Sequence, residues 1–80
     1  MSKFHKTFKN HFTLNEWYEV DRKIFPVVRT QYVNFERGHL QFRSESGTNI
    51  NVSGGEIRDN LVKITKDNEV FTVNGWVKID

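Results

Sequence analysis

The sequence predicts a mainly β protein with one N-terminal helix, folded as a small barrel or a strongly bent antiparallel sheet. Three observations carry that expectation. The second half of the chain is a succession of short apolar runs separated by Gly, Asn, Asp and Ser, the spacing that strands joined by tight turns require. With 80 residues there is room for one domain, because a second core would not bury enough apolar surface to offset its own ordering entropy. Seven Phe and two Trp bring large apolar area to that single core, so packing alone has to hold a chain that contains no cysteine. The lack of cysteine also excludes a disulfide framework and a thiolate metal site, and it suits a reducing cytoplasm.

Residues 1–12 carry Lys3, Lys6 and Lys9 without an acid, while the remaining bases and acids nearly cancel within a net charge of +2. Phe4, Phe8 and Phe12 recur every fourth residue, which on a helix lays three rings along one stripe with lysines at its flanks. Such a basic amphipathic segment suits docking on the protein's own core, on nucleic acid, on an acidic protein or on an anionic membrane; a frayed terminus is the alternative. Thr13-Leu14-Asn15-Glu16 then reads as a capping box, the reciprocal Thr and Glu pattern that satisfies free N–H groups at a helix start. The helix is placed within 13–25, with Leu14, Trp17, Tyr18 and Ile24 near one face, Trp17 and Tyr18 as its core-facing anchors, Glu19 and Lys23 as a supporting pair on the other face, and Pro26 as its stop. Trp17, Tyr18 and Val20 tolerate a strand as well, which leaves a strand as the competing assignment.

From residue 27 the pattern changes to strands. Runs at 27–36 and 39–44, joined at Arg37-Gly38, form a hairpin whose inward residues are Val33, Phe35, Leu40 and Phe42. Strands at 49–52, 61–66, 69–73 and 76–79 and a short piece at 56–58 come next, separated by Ser46-Gly47, Ser53-Gly54-Gly55, Asp67-Asn68 and Asn74-Gly75. In the last strand Val77 and Ile79 share one side, Trp76 and Lys78 the other. No internal repeat, linker, signal peptide or membrane-spanning stretch is legible.

Over residues 32–79 these elements resemble the bacterial SH3-like (SH3b) domain. The run LQFRSESGTNINVSGGEI, then VKI, a polar turn, EVFTV and NGWVKI, is similar to that family's order of Arg, Gly-Thr and Gly-Trp, with Leu40, Arg43, Ser44, Gly47, Thr48, Gly54, Val70, Gly75 and Trp76 at its positions. The resemblance implies an SH3-like barrel over 27–80 and binding without catalysis. Glu45 and Ser46 depart from the family's Gly-Pro loop, and the chain ends at Asp80 before the usual closing strand. The helix and residues 23–30 are then expected to close the barrel; otherwise an unpaired sheet edge is left for a partner strand or a second copy.

Reaction chemistry is not legible: there is no nucleophile elbow and no phosphate-cradling Gly loop, and His5, His11 and His39 are too scattered for a zinc pattern, so neither an enzyme nor a cofactor site is expected. A protein-binding module acting on a host protein inside the cell is the leading expectation, from a composition that resembles small phage and mobile-element products. Its contacts are placed at Tyr32, Arg43, Glu45 and Trp76, because exposed Trp, Tyr and Arg concentrate interface energy; the bland counterpart has Trp76 over the core and Arg43 paired with Glu45 or a carbonyl. The second expectation is nucleic-acid binding through Lys3, Lys6, Lys9, Arg22, Lys23 and Arg29 with stacked rings, and the third is cell-wall peptide binding, which the SH3b resemblance implies.

Overall fold

The computed structural model describes residues 10–79, and these form β1 (Trp17–Arg22), β2 (Val28–Glu36), β3 (His39–Ser44), β4 (Asn49–Ser53), α1 (Gly54–Arg58), β5 (Val62–Lys66), β6 (Glu69–Thr72) and β7 (Gly75–Lys78). Every ladder is antiparallel, and the strands lie in one open sheet of order β4-β3-β2-β1-β5-β6-β7. The meander β1 to β4 grows to one side of β1, and the chain then crosses through α1 to build β5 to β7 on the other. The edges are β4 and β7. The SH3-like barrel expected over 27–80 is therefore not formed, and the segment assigned to close it lies at the centre of the sheet instead.

The expected N-terminal helix is also corrected: within 13–25 the structure has a turn, a central strand and part of a loop. Glu16 N donates to Thr13 O (3.2 Å), and Asn15 takes φ +69°, a left-handed value that no helix continues. From Trp17 the burial alternates, with Tyr18 and Val20 inward and Glu19 outward. A period of two is what a strand requires, and the aromatic and β-branched residues of WYEV fit a pleated surface. Helix formation is found instead at Ser53, where residues 53–56 meet the capping rule on both sides. Glu56 N donates to Ser53 Oγ (3.2 Å) and Ser53 N donates to Glu56 Oε1 (2.9 Å).

The other strands stand within about a residue of the runs expected for them. Arg37 and Gly38 (φ +54° and +77°) form the two-residue turn between β2 and β3, and Asp67 and Asn68 (+51° and +67°) form the one between β5 and β6. Two consecutive positive values match the right-handed twist of the flanking strands. One inward assignment changes. A register shift between Tyr32 and Asn34 absorbs Val33, so Thr30 and Tyr32 face the core before the bulge and Phe35 after it, while Val33 is not part of the core.

The core sits on the concave face and is organised by Phe12. Its ring lies 5.1 Å from Tyr18, 5.6 Å from Tyr32, 5.8 Å from Phe42, 4.8 Å from Phe71 and 5.5 Å from Trp76, between ring centroids. Those partners belong to five strands. In a flat sheet β3 and β6, four ladder steps apart, would be separated by about 19 Å. Contact of both Phe42 and Phe71 with one ring requires the sheet to curl around Phe12. Val20, Leu40, Ile50, Val52, Val62 and Ile64 complete the core, and Ile57 of α1 is buried among them. Thr30 is fully buried, and its hydroxyl donates to Tyr18 O (3.0 Å), which meets the cost of placing a polar group there.

Candidate partner-binding face

Because the concave side is filled, side chains of opposite parity line the convex side. The registers align Asn49, Arg43, Gln31 and Trp17 in one row across β4, β3, β2 and β1. The next row holds Arg29, Glu19, Thr65, Val70 and Val77 across β2, β1, β5, β6 and β7. Arg29 is the diagonal neighbour of Trp17, and its guanidinium lies over the indole at 4.1 Å from the ring centroid. Its Nη1 also donates to Glu45 Oε2 at 3.2 Å.

Glu45 reaches that position because the 44–49 loop is held by hydrogen bonds. Gly47 N donates to Ser44 O (2.9 Å), Ser44 N to Thr48 O (2.9 Å) and Thr48 N to Ser44 Oγ (3.1 Å). Gly47 stands at φ +91°, where a side chain would be strained. Nearby, Arg43 Nε donates to Asn49 Oδ1 (3.3 Å), and Gln31 Nε2 donates to Asn15 O (2.9 Å). Beside Trp17, Lys66 Nζ donates to the Trp17 carbonyl (3.0 Å), pairs with Glu16 Oε1 (3.1 Å) and lies 5.0 Å from the Tyr18 ring centroid. A polar cleft of about 460 Å³ opens there, lined by Trp17, Glu19, Arg29, Thr65, Lys66 and Ile79 among others.

Of the residues singled out as partner contacts, Arg43 and Glu45 lie on this surface but do not pair with each other. Tyr32 does not lie there. It is 4% exposed, on the core side of β2, and burial, with Tyr18 nearby, pushes its phenol above the usual tyrosine range. Trp76 is half-buried and packed against the core: its indole stacks on Tyr18 (5.8 Å, 20°) and its Nε1 donates to His11 O (3.0 Å). The residues offered as phosphate contacts are dispersed. Arg29 is tied to Trp17 and Glu45, Arg22 follows the inward parity of β1 at its far end, and Lys23 is in the adjoining loop. Lys3, Lys6 and Lys9 lie outside the described residues.

Trp17, read from the sequence as a core-facing helix residue, is instead the aromatic centre of the outer face. The signal was present, since strict alternation in W-Y-E-V pairs Trp17 with solvated Glu19 and opposes both to Tyr18 and Val20. No group of three or more His, Asp or Glu side chains among the described residues is arranged to hold a metal. No helix among them is long and apolar enough to cross a membrane. No family model matches the chain, and no curated protein or solved structure matches it.

Proposed function

We propose that this protein is a non-enzymatic binding module that docks an intracellular protein through the convex face of its sheet, with Trp17 and Arg29 at the centre of the contact. The observation that carries the reading is the Arg29 guanidinium stacked on a half-buried Trp17 beside an open cleft. Trp and Arg dominate interface energetics. Here both are held before any partner arrives, Trp17 by its strand and Arg29 by Glu45, so less side-chain entropy is lost on docking.

The electrostatics favour a protein over a nucleic acid. Arg29, Lys66 and Arg58 are paired with Glu45, Glu16 and Asp59, which gives a surface of mixed sign where a phosphate-tracking groove needs unpaired cations. Each exposed pair stabilises the fold by less than about 1 kcal/mol, so exchanging it for a partner's carboxylate is inexpensive. A cysteine-free chain suits a reducing compartment.

The test is affinity capture from a cell lysate with and without nuclease, at low and moderate salt, with wild type, Trp17→Ala and Arg29→Glu. The expected result is a stoichiometric, nuclease-resistant protein whose retention falls at least tenfold in either variant. Capture that nuclease abolishes, or that collapses with salt by about one power per phosphate, identifies a nucleic-acid complex instead. Retention of cell-wall fragments alone defeats the proposal.

A further inference from the structure

The β1–β2 connection, residues 23–27, leaves its apolar side chains in solvent. Ile24 is 83% exposed, Val27 56% and Phe25 48%, and Leu61, which lines a common hollow with Lys23, is 50% exposed. Single exposed apolar residues are ordinary, but four at one sheet end form a projecting apolar tip. The tip is shaped by its own chain: Phe25 N donates to Arg22 O (2.8 Å) in a tight turn, and Pro26 fixes the backbone after it.

Cations surround it. The Arg22 guanidinium lies over the Phe25 ring at 4.3 Å, and Lys23, Leu61 and Lys63 line one shallow hollow of about 280 Å³. Arg58 and Lys63 line the neighbouring groove of about 360 Å³. Against these four cations stand two acids, Asp21, opposite Lys63, and Asp59, bonded to Arg58 at 3.3 Å. Residues 22–28 contain no acid.

We propose that this tip seats on an anionic phospholipid surface, with Ile24, Phe25 and Val27 entering the boundary between headgroups and acyl chains while Lys23 and Lys63 meet lipid phosphates. A bilayer deforms around a projecting tip, and apolar insertion with a cationic collar is the combination that holds a protein at an anionic interface. Trp17, at the opposite end of β1, stands about 17 Å away along the strand, so the two surfaces are open to occupation together.

Wild-type protein should co-sediment with vesicles of equal parts phosphatidylserine and phosphatidylcholine, and far less with phosphatidylcholine alone. The double substitution Ile24→Glu with Phe25→Glu should lower partitioning at least about tenfold. Lys23→Gln should lower it about fivefold, the loss of one cation near the surface. Both replacements are at solvated positions, and unchanged near-ultraviolet circular dichroism would show that the core is intact. A wild-type protein that stays in the supernatant with anionic vesicles, or a folded double variant that sediments as wild type does, would overturn the proposal. A dimer that the double substitution dissolves, without lipid binding by the wild type, would do the same. Trp17→Ala should leave sedimentation unchanged, which separates this inference from the protein-docking one.

Discussion

Thr13-Leu14-Asn15-Glu16 and Ser53-Gly54-Gly55-Glu56 carry the same capping signature, and the chain turns into a strand after the first and a helix after the second. At Ser53 both reciprocal hydrogen bonds form, and the other end is closed by Asp59 N donating to Gly55 O (2.9 Å) and Asn60 N donating to Ile57 O (3.1 Å). At Thr13 neither side chain caps. Thr13 N donates to the Tyr18 hydroxyl (3.0 Å), and Glu16 reaches across to Lys66. The difference teaches that a capping pattern offers a helix start, and the periodicity of the next few residues accepts or refuses it. After Glu16 the alternation of WYEV suits a surface buried on one side. After Glu56 a single large apolar residue, Ile57, needs burial, and one helical turn delivers it. A five-residue helix with two glycines would not persist alone, so α1 depends on its caps and on Ile57.

This contrast is open to test. The largest effect is expected at Phe12→Ala: the first region is held by packing, and removing a ring that meets five others should destabilise the protein by about 3–5 kcal/mol, read as a lower denaturant midpoint. Next, Ser53→Ala should lose about 1 kcal/mol in the same measurement, because α1 has a working cap. A smaller effect confined to alkaline solution should come from Tyr32. Its phenol is raised in the folded state, so the stability tied to it is intact below about pH 10, the ordinary tyrosine value, and is lost as pH rises through the higher folded value. Melts at rising pH should show that decline in wild type, reduced in Tyr32→Phe. The least effect belongs to Thr13→Ala, within about 0.5 kcal/mol, since the hydroxyl caps no helix. A loss equal to that of Ser53→Ala would mean that the two sites are energetically alike and that the contrast fails.

The strands from β2 to β7 are legible because each declares itself within a few residues. Arg37-Gly38 and Asp67-Asn68 adopt the positive-φ pairs that tight hairpins need, and Leu40, Phe42 and Ile50 alternate inward. What misleads is a motif weighed apart from the residues after it. Taken alone, the Thr13 capping pattern outweighs the alternation of Trp17 to Val20, and it puts a helix on the central strand and Trp17 in the core. Two further differences rest on information that no short window holds. Parity counted without the bulge at Val33 puts Tyr32 at the surface, and closeness in sequence sets Arg43 against Glu45, although the fold gives Glu45 to Arg29. Neither the bulge nor the loop geometry at 44–49 is written in a run of two-residue periods.

By itself the sequence determined a single, cysteine-free, predominantly β chain with its turns at Gly, Asn and Asp positions, because turn chemistry and side-chain alternation are local and act over two to four residues. Only the tertiary structure decided that the sheet stays open, that β1 lies at its centre, and that Phe12 is the ring around which the strands curl. These are choices among pairings distant in the chain. Trp76 Nε1 and His11 O, Lys66 and Trp17 O, and Phe12 and Phe71 meet across tens of residues, and the free energy of each meeting depends on all the others being in place.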